Sequence, residues 1–234
     1  MLILAFETSA KAGSVALMQD GVLLGESYQN TGLTHSQTLL SMAESVLSQA
    51  GKTAQEVEAV AVAAGPGSFT GVRIGVAAAK GLAWGREIPC YGVSTLEAMA
   101  ESLAVHTGYV LPVMDARRSQ VYTALFRAEK GVISRVMEDC AISLEELGEK
   151  IKKLELPVFL VGDGSILCYH TLKEVCPALV LPLEHRMHQR AVGVALVAQK
   201  KIAAGEPGDG KALTPNYLRL SQAERERKEK ERKL

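Results

Sequence analysis

Two carboxylates stand where chemistry could begin. Glu7 closes the apolar run of residues 1–6, and Asp115 closes the run of residues 109–114. Acidic groups at matching strand ends, with Thr8 and Ser9 beside the first, are the residue types that hold a magnesium–nucleotide pair. Glu7, Thr8, Ser9 and Asp115 are therefore the candidate cofactor residues. The turn Gly65-Pro66-Gly67-Ser68 is a second candidate. Glycines there permit positive φ and close backbone approach, and Ser68 or Thr70 can cap a following helix. The same residues serve a plain strand-to-helix connection or an anion site at a helix N-terminus. They are not a P-loop, because no Gly-Lys-Ser/Thr follows at the required spacing. Ser68 with His35 would make a nucleophile and base if folding joined them, but no Gly-x-Ser-x-Gly elbow is present. His35 reads instead as the first turn of a helix, where Thr34 and Gln37 match capping-box spacing. His185 and His188 lie three apart in a segment without helical period, and read as loop rather than metal ligands. The four cysteines, at 90, 140, 168 and 176, form no C-x-x-C pair and read as reduced, buried thiols.

The elements that must carry these residues come in two similar sets. Residues 2–29 read strand, short link, strand, Asp20-Gly21 turn, strand, and residues 109–138 repeat that order around Glu129-Lys130-Gly131. Each triplet is followed by a helical pattern (35–50 and 144–154), a short apolar strand (57–63 and 158–161) and a Gly-x-Gly-Ser turn. A further helix and a proline-opened apolar run come next, and residues 95–103 and 190–204 give each half a last helix. The prediction is an α/β fold with a mixed sheet in each half, the second reduced.

This ββαβα duplication resembles the tandem RNase H-like domains of the actin, Hsp70 and sugar-kinase superfamily. It predicts a first domain over residues 1–104, completed by the helix near 190–204. A smaller second domain spans 105–189, and 205–234 form a C-terminal segment with a charged tail. The superfamily usually binds a nucleotide between the halves on glycine-bearing hairpins. Here the first link has only Gly13, and the second, Asp115-Ala116-Arg117-Arg118-Ser119, has none. Its two arginines either reach an anion with their side chains or sit exposed in the turn.

Composition narrows the function classes. The 234 residues hold 26 basic and 26 acidic side chains, which excludes nucleic-acid binding by bulk charge. At 47% hydrophobic and 22% charged, the chain is of ordinary globular type. No apolar run reaches the ~18 residues of a membrane span, and the N-terminus lacks the basic start of a secretory signal. The tail at 224–233 alternates six basic with four acidic residues and reads as a solvated helix. Aromatics at 5% are too few to suggest a stacking platform.

The string Gly65-Pro66-Gly67-Ser68-Phe69-Thr70-Gly71-Val72-Arg73-Ile74-Gly75, with Ala79-Lys80-Gly81-Leu82-Ala83 behind it, is far more specific than its glycines alone. Together with Phe6-Glu7-Thr8-Ser9, His35-Ser36, Val93-Ser94-Thr95-Leu96-Glu97-Ala98, Asp115-Ala116-Arg117 and Pro215-Asn216-Tyr217-Leu218-Arg219, it resembles the TsaB (YeaZ) family over nearly the whole chain except the tail. The resemblance implies a place in the bacterial machinery that makes threonylcarbamoyladenosine at position 37 of tRNAs reading ANN codons. In that family a cytoplasmic, non-catalytic scaffold or activator pairs with TsaD, a catalytic subunit of similar fold, and the ATPase TsaE completes the complex. Alone it forms a homodimer. It has no cofactor of its own, a nucleotide, if any, lies at the partner interface, and tRNA is contacted mainly by the partners. The older placement of both proteins among the M22 glycoproteases implies the competing reading, a metal-independent peptidase or a nucleotide-hydrolysing actin-like enzyme. TsaD relatives carry Val-x-His-x-x-x-His, two imidazoles on one helix face that can grip a metal. The aligned residues here are Val93, Thr95 and Met99, and a hydroxyl with a thioether does not replace that pair.

Gly71, Gly75, Ala79 and Ala83 fall at successive i+4 steps, a ridge along which another helix can pack closely. It serves either the chain's own sheet or a partner. The resemblance implies pairing through the first two helices and so favours the partner. The expected interface is His35, Leu39, Met42 and Val46 with Gly71, Arg73, Gly75, Ala79, Lys80 and Ala83, where Arg73 and Lys80 meet acidic groups at the rim.

Overall fold

The computed structural model describes residues 1–117 and 119–219. Arg118 and the charged tail lie outside the described residues. In the first half, strands β1 (Leu2–Glu7), β2 (Gly13–Gln19) and β3 (Val22–Gln29) precede helix α1 (His35–Gln49), then β4 (Ala59–Gly65), α2 (Phe69–Arg86), β5 (Cys90–Ser94) and α3 (Thr95–Glu101). The second half repeats the order: β6 (Gly108–Asp115), β7 (Gln120–Glu129), β8 (Val132–Ser143), α4 (Leu144–Ile151), β9 (Val158–Val161), α5 (Ser165–Leu172), β10 (Leu179–Val180) and α6 (Ala191–Ala203). The sheets run β3-β2-β1-β4-β5 and β10-β9-β6-β7-β8, one topology read in opposite directions. β1 pairs antiparallel with β2 and parallel with β4, and β6 does the same with β7 and β9. Both hairpins close on left-handed pairs, Asp20 (φ 49°) with Gly21 (φ 83°) and Lys130 (φ 53°) with Gly131 (φ 79°), the geometry that tight two-residue turns demand.

Two features differ from the sequence reading. β8 continues past Glu138 to Ser143, because register shifts around Leu125 let it stay paired where its alternation breaks. The capping box at the start of α1 does not form. Thr34 is the N-cap without a side-chain bond, and its backbone carbonyl takes the Gln37 N–H at 2.9 Å.

Strand alternation sends different residues to the two faces of the first sheet. Leu2, Leu4, Phe6, Val15, Leu17, Val60 and Val62 face α1 and α2. The opposite face carries Ala5, Ala16, Ala59, Ala61 and Ala63, with Ile3 and Met18 as its larger side chains. Such a flat surface lets a helix approach closely, and α6 lies there, itself built of Ala191, Gly193, Val194, Ala195, Val197 and Ala198. In the second half, α4 and α5 cover one face of the sheet with Leu144, Leu147, Ile151, Cys168 and Leu172.

The other face of the second sheet packs on α3. Leu96, Met99, Ala100 and Leu103 meet Val110, Met114, Tyr122, Ala124 and Phe126. The opposite side of α3 touches α6, so this seven-residue helix is shared by both halves. Its N-cap, Ser94, accepts from Glu97 N–H at 3.2 Å and donates to Asp139 on β8 at 2.5 Å. Arg135 joins the same network, bonding Asp139 at 2.6 Å and Glu97 at 2.9 Å above the Phe126 ring. Among the described residues no helix is long and apolar enough to cross a membrane.

At the α3–α6 crossing a Cβ on Gly193 would collide with the Ala98 carbonyl oxygen. Gly193→Val therefore forces the two backbones apart. Overpacking of about 1–3 kcal/mol should lower Tm by about 2–12 °C in a thermal circular-dichroism scan. An unchanged Tm would mean that α6 does not rest on α3.

Candidate functional site

The link between β1 and β2 is closed by its own side chains. Glu7 is fully buried, and its Oε1 accepts from the Ser9 N–H at 2.6 Å. Its Oε2 has no hydrogen-bond partner. Burial, reinforced by nearby Asp163, pushes the carboxyl up to about 7. Thr8 Oγ1 donates to the Gly71 carbonyl at 2.8 Å, and Ser9 carbonyl accepts from Ser68 N–H at 2.7 Å. The His35 ring bonds the Ala10 carbonyl through Nε2 at 2.8 Å and fills the space beside Gly13, where a Cβ would lie 2.8 Å from Nδ1.

These contacts correct the expected partner interface. Gly71 and Gly75 are pressed on Thr8, where a Cβ at Gly71 would strike the carbonyl and one at Gly75 the hydroxyl. Ala79 and Ala83 are buried in the same core, and so are Leu39, Met42 and Val46 of α1. The ridge faces the chain's own sheet because the bulk on that side, Thr8 and Val62, leaves room only for hydrogen. His35 is half-buried and turned inward. Arg73 and Lys80 are engaged within the chain. They hold residues 207–219, a C-terminal strap: Arg73 Nε donates to Tyr217 OH at 2.7 Å and Lys80 Nζ to the Leu213 carbonyl at 2.9 Å.

The strap was not foreseen. It starts on β5, where Cys90 N–H bonds the Gly208 carbonyl, and its Leu213 enters the first core. Asn216 N–H reaches the Ala64 carbonyl at 2.6 Å, Tyr217 stacks on Phe69 with centroids 4.5 Å apart, and Arg219 bonds the Ala116 carbonyl in the second half at 2.6 Å. The string Pro215-Asn216-Tyr217-Leu218-Arg219 carried a family signal, but nothing in it announced contacts so distant in sequence.

Between the halves lies a cleft of about 460 Å³ bordered by Ser9, Lys11, Ser68, Asp115, Arg117 and Asp163, with Arg219 at its mouth. Of the cofactor candidates, Ser9 and Asp115 border it, whereas Glu7 and Thr8 are buried behind it. The Thr8 hydroxyl and one oxygen of the Glu7 carboxylate are engaged within the fold, and the other oxygen of Glu7 is buried without a partner. Ser68 caps α2, its Oγ accepting from Gly71 N–H at 3.2 Å, so Ser68 and His35 serve separate bonds and do not form a nucleophile–base pair. Thr95 and Met99 are buried within α3. His185 falls in a short 3₁₀ turn (Glu184–Arg186), and no cluster of metal-ligating side chains occurs among the described residues. Burial pushes the Cys90 thiol up to about 11 and Cys168 up to about 12, away from nucleophilic use.

Residues 29–227 match the family described as TsaD: tRNA N6-adenosine threonylcarbamoyltransferase. The tRNA threonylcarbamoyladenosine biosynthesis protein TsaB of Bacillus subtilis (strain 168) is 34% identical over 225 residues, 96% of each chain. The solved structure of YeaZ from Pseudomonas aeruginosa superposes with a TM-score of 0.76 at 26% identity, over 93% of this chain and 99% of that one. A ROK hexokinase from Thermus thermophilus, with a TM-score of 0.52 at 13% identity over 87% of this chain and 100% of that one, shares the two-sheet α/β fold alone.

Glu7 makes stability depend on pH. Its folded value of about 7 lies above the ordinary 4.5, so between these limits the folded state binds more protons than the unfolded one. Stability then falls as pH rises from about 4.5 to 7, by about 3 kcal/mol from this group. In urea denaturation at pH 5 and pH 8, Glu7→Gln should remove that part of the slope. A constant gap between the two proteins at both pH values would assign the titration elsewhere.

Proposed function

The chain belongs to the TsaB family, and from that premise we propose that it is a non-catalytic subunit in the synthesis of threonylcarbamoyladenosine on tRNA. The observation that carries this reading is α3. The helix that would present paired histidines in a TsaD relative presents Thr95 and Met99, both buried in packing between the halves. A side chain that forms the core cannot also hold a metal against a substrate. The helix is a structural spine here.

Its catalytic partner is a TsaD-like subunit, with a TsaE-like ATPase completing the assembly and a second copy of the chain taking the same face when the partner is absent. The open surfaces of α1 and α2 support pairing there, on a face turned away from the buried ridge. Leu40 on α1 is 62% exposed and Trp84 on α2 is 79% exposed. Between them α2 offers Ala77, Gly81 and Gly85 with the half-buried Ile74, Ala78 and Leu82. A Cβ at Gly81 or Gly85 would meet only open space. A glycine inside a helix weakens it by about 1 kcal/mol relative to alanine. With no contact among the described residues to explain that loss, the contact that needs hydrogen at these positions belongs to a partner.

This gives opposite effects on fold and on assembly. Gly81→Ala should raise monomer stability by about 1 kcal/mol. Gly81→Leu should leave the fold intact by circular dichroism. It should weaken association with the co-expressed TsaD-like subunit by about one to two decades, read by ultracentrifugation, and lower tRNA modification in parallel. Unchanged affinity would move the interface off this face.

A further inference from the structure

The mouth of the cleft collects positive charge from three separate segments. Lys11 comes from the β1–β2 link, Arg117 from the β6–β7 turn and Arg219 from the end of the strap. Among the described residues none of the three is in an ion pair. In a chain with 26 basic and 26 acidic side chains, three cations on one rim without a salt-bridge contact are a local concentration. Two carboxylates, Asp115 and Asp163, share the cleft, so its lining keeps an excess of one positive charge. Asp115 accepts from its own turn, at 2.7 Å from Arg117 N–H, and Asp163 accepts from Gln189 Nε2 at 3.0 Å. Burial also pushes the Asp163 carboxyl upward. Arg117 is held in the left-handed region at φ 61°, as is Ser119 at φ 56°. Non-glycine residues adopt that conformation at a penalty, and pairs of them gather where a turn must aim its side chains.

Beside the rim lies a flat aromatic layer. Phe69 and Tyr217 stack within 15° of parallel, Arg73 lies 5.8 Å and 5.4 Å from the two ring centroids, and Tyr217 is 40% exposed. Cations spread over both halves suit a row of phosphates better than a single one. A flat guanidinium–aromatic layer suits an unstacked base. A lone nucleotide gripped by the first hairpin is disfavoured, because Glu7 and Thr8 are buried behind the cleft lining.

We propose that the cleft mouth is a contact for single-stranded RNA, with Lys11, Arg117 and Arg219 on phosphates and the Phe69–Tyr217 pair under a base. The proposal rests on the reading of this chain as a component that works on tRNA. Arg219 anchors the strap, so the test changes only the other two cations.

The test compares wild type with the double variant Lys11→Glu/Arg117→Glu. Both are measured as the isolated chain and in complex with the TsaD-like partner, using a fluorescein-labelled, unmodified anticodon stem–loop RNA at several salt concentrations. Circular dichroism and partner affinity, read on the same samples, should be unchanged, so a failure of pairing is seen apart from a failure of RNA contact. RNA affinity should fall at least tenfold. The slope of log affinity against log salt should become shallower by about 1.4, two phosphate contacts at about 0.7 each. Equal affinity and slope in the two proteins would overturn the proposal. So would release of the RNA by one equivalent of ATP, which would make the cleft a nucleotide pocket.

Discussion

The close approach of α3 and α6 is the constraint on which the rest of the molecule depends. It exists because one face of the first sheet is paved with alanine and because Gly193 has no side chain to hold Ala98 away. With α6 lying low on the sheet, α3 lies low on α6, and the second sheet then closes on the far side of α3. Each layer is set by the thinness of the one before. Larger residues at Ala59, Ala61 or Ala63 would lift α6, and the shift would pass through α3 to the second sheet. The Lys200–Glu101 ion pair and the Arg135 network fasten α3 from its two ends, but they can form only after that stacking is in place.

The same economy of space explains why the first hairpin is closed. In a hairpin that cradles phosphate, backbone N–H groups stay open to the ligand. Here Ser9 N–H is taken by Glu7 and Ser68 N–H by the Ser9 carbonyl, while His35 fills the room beside Gly13. The cleft persists, but what borders it is a set of side chains from both halves, with no ring of free amides on its first wall.

Much of the architecture was legible because periodicity and turn residues act locally. The two strand triplets, the Asp20-Gly21 and Lys130-Gly131 turns and the Ser68 cap are all settled within a few residues of chain. The side of α2 that faces inward was not legible. Gly71, Gly75, Ala79 and Ala83 make the same i+4 pattern whether they meet a sheet or a partner, and only the position of Thr8, more than sixty residues away, decides between them. The strap failed to announce itself for a related reason: Asn216, Tyr217 and Arg219 are polar residues in an aperiodic segment, and their bonds go to Ala64, Arg73 and Ala116. Ser9 and Asp115 could be singled out as strand-end residues, yet their sharing of one cleft follows from how the two sheets stack.

The order in which the pieces occur along the chain matters during synthesis. All five strands of the first sheet have been made once Ser94 is added, but the helix that covers their alanine face begins at Ala191. At about 5–20 residues per second, roughly a hundred residues of delay leave that face uncovered for about 5–20 s. The strap that protects β5 comes later still. A nascent chain therefore presents a finished, flat, small-residue sheet surface to solvent or to a holding chaperone before its own lid exists. The apposed backbones at Gly193 and Ala98 join a helix made late to one made about a hundred residues earlier.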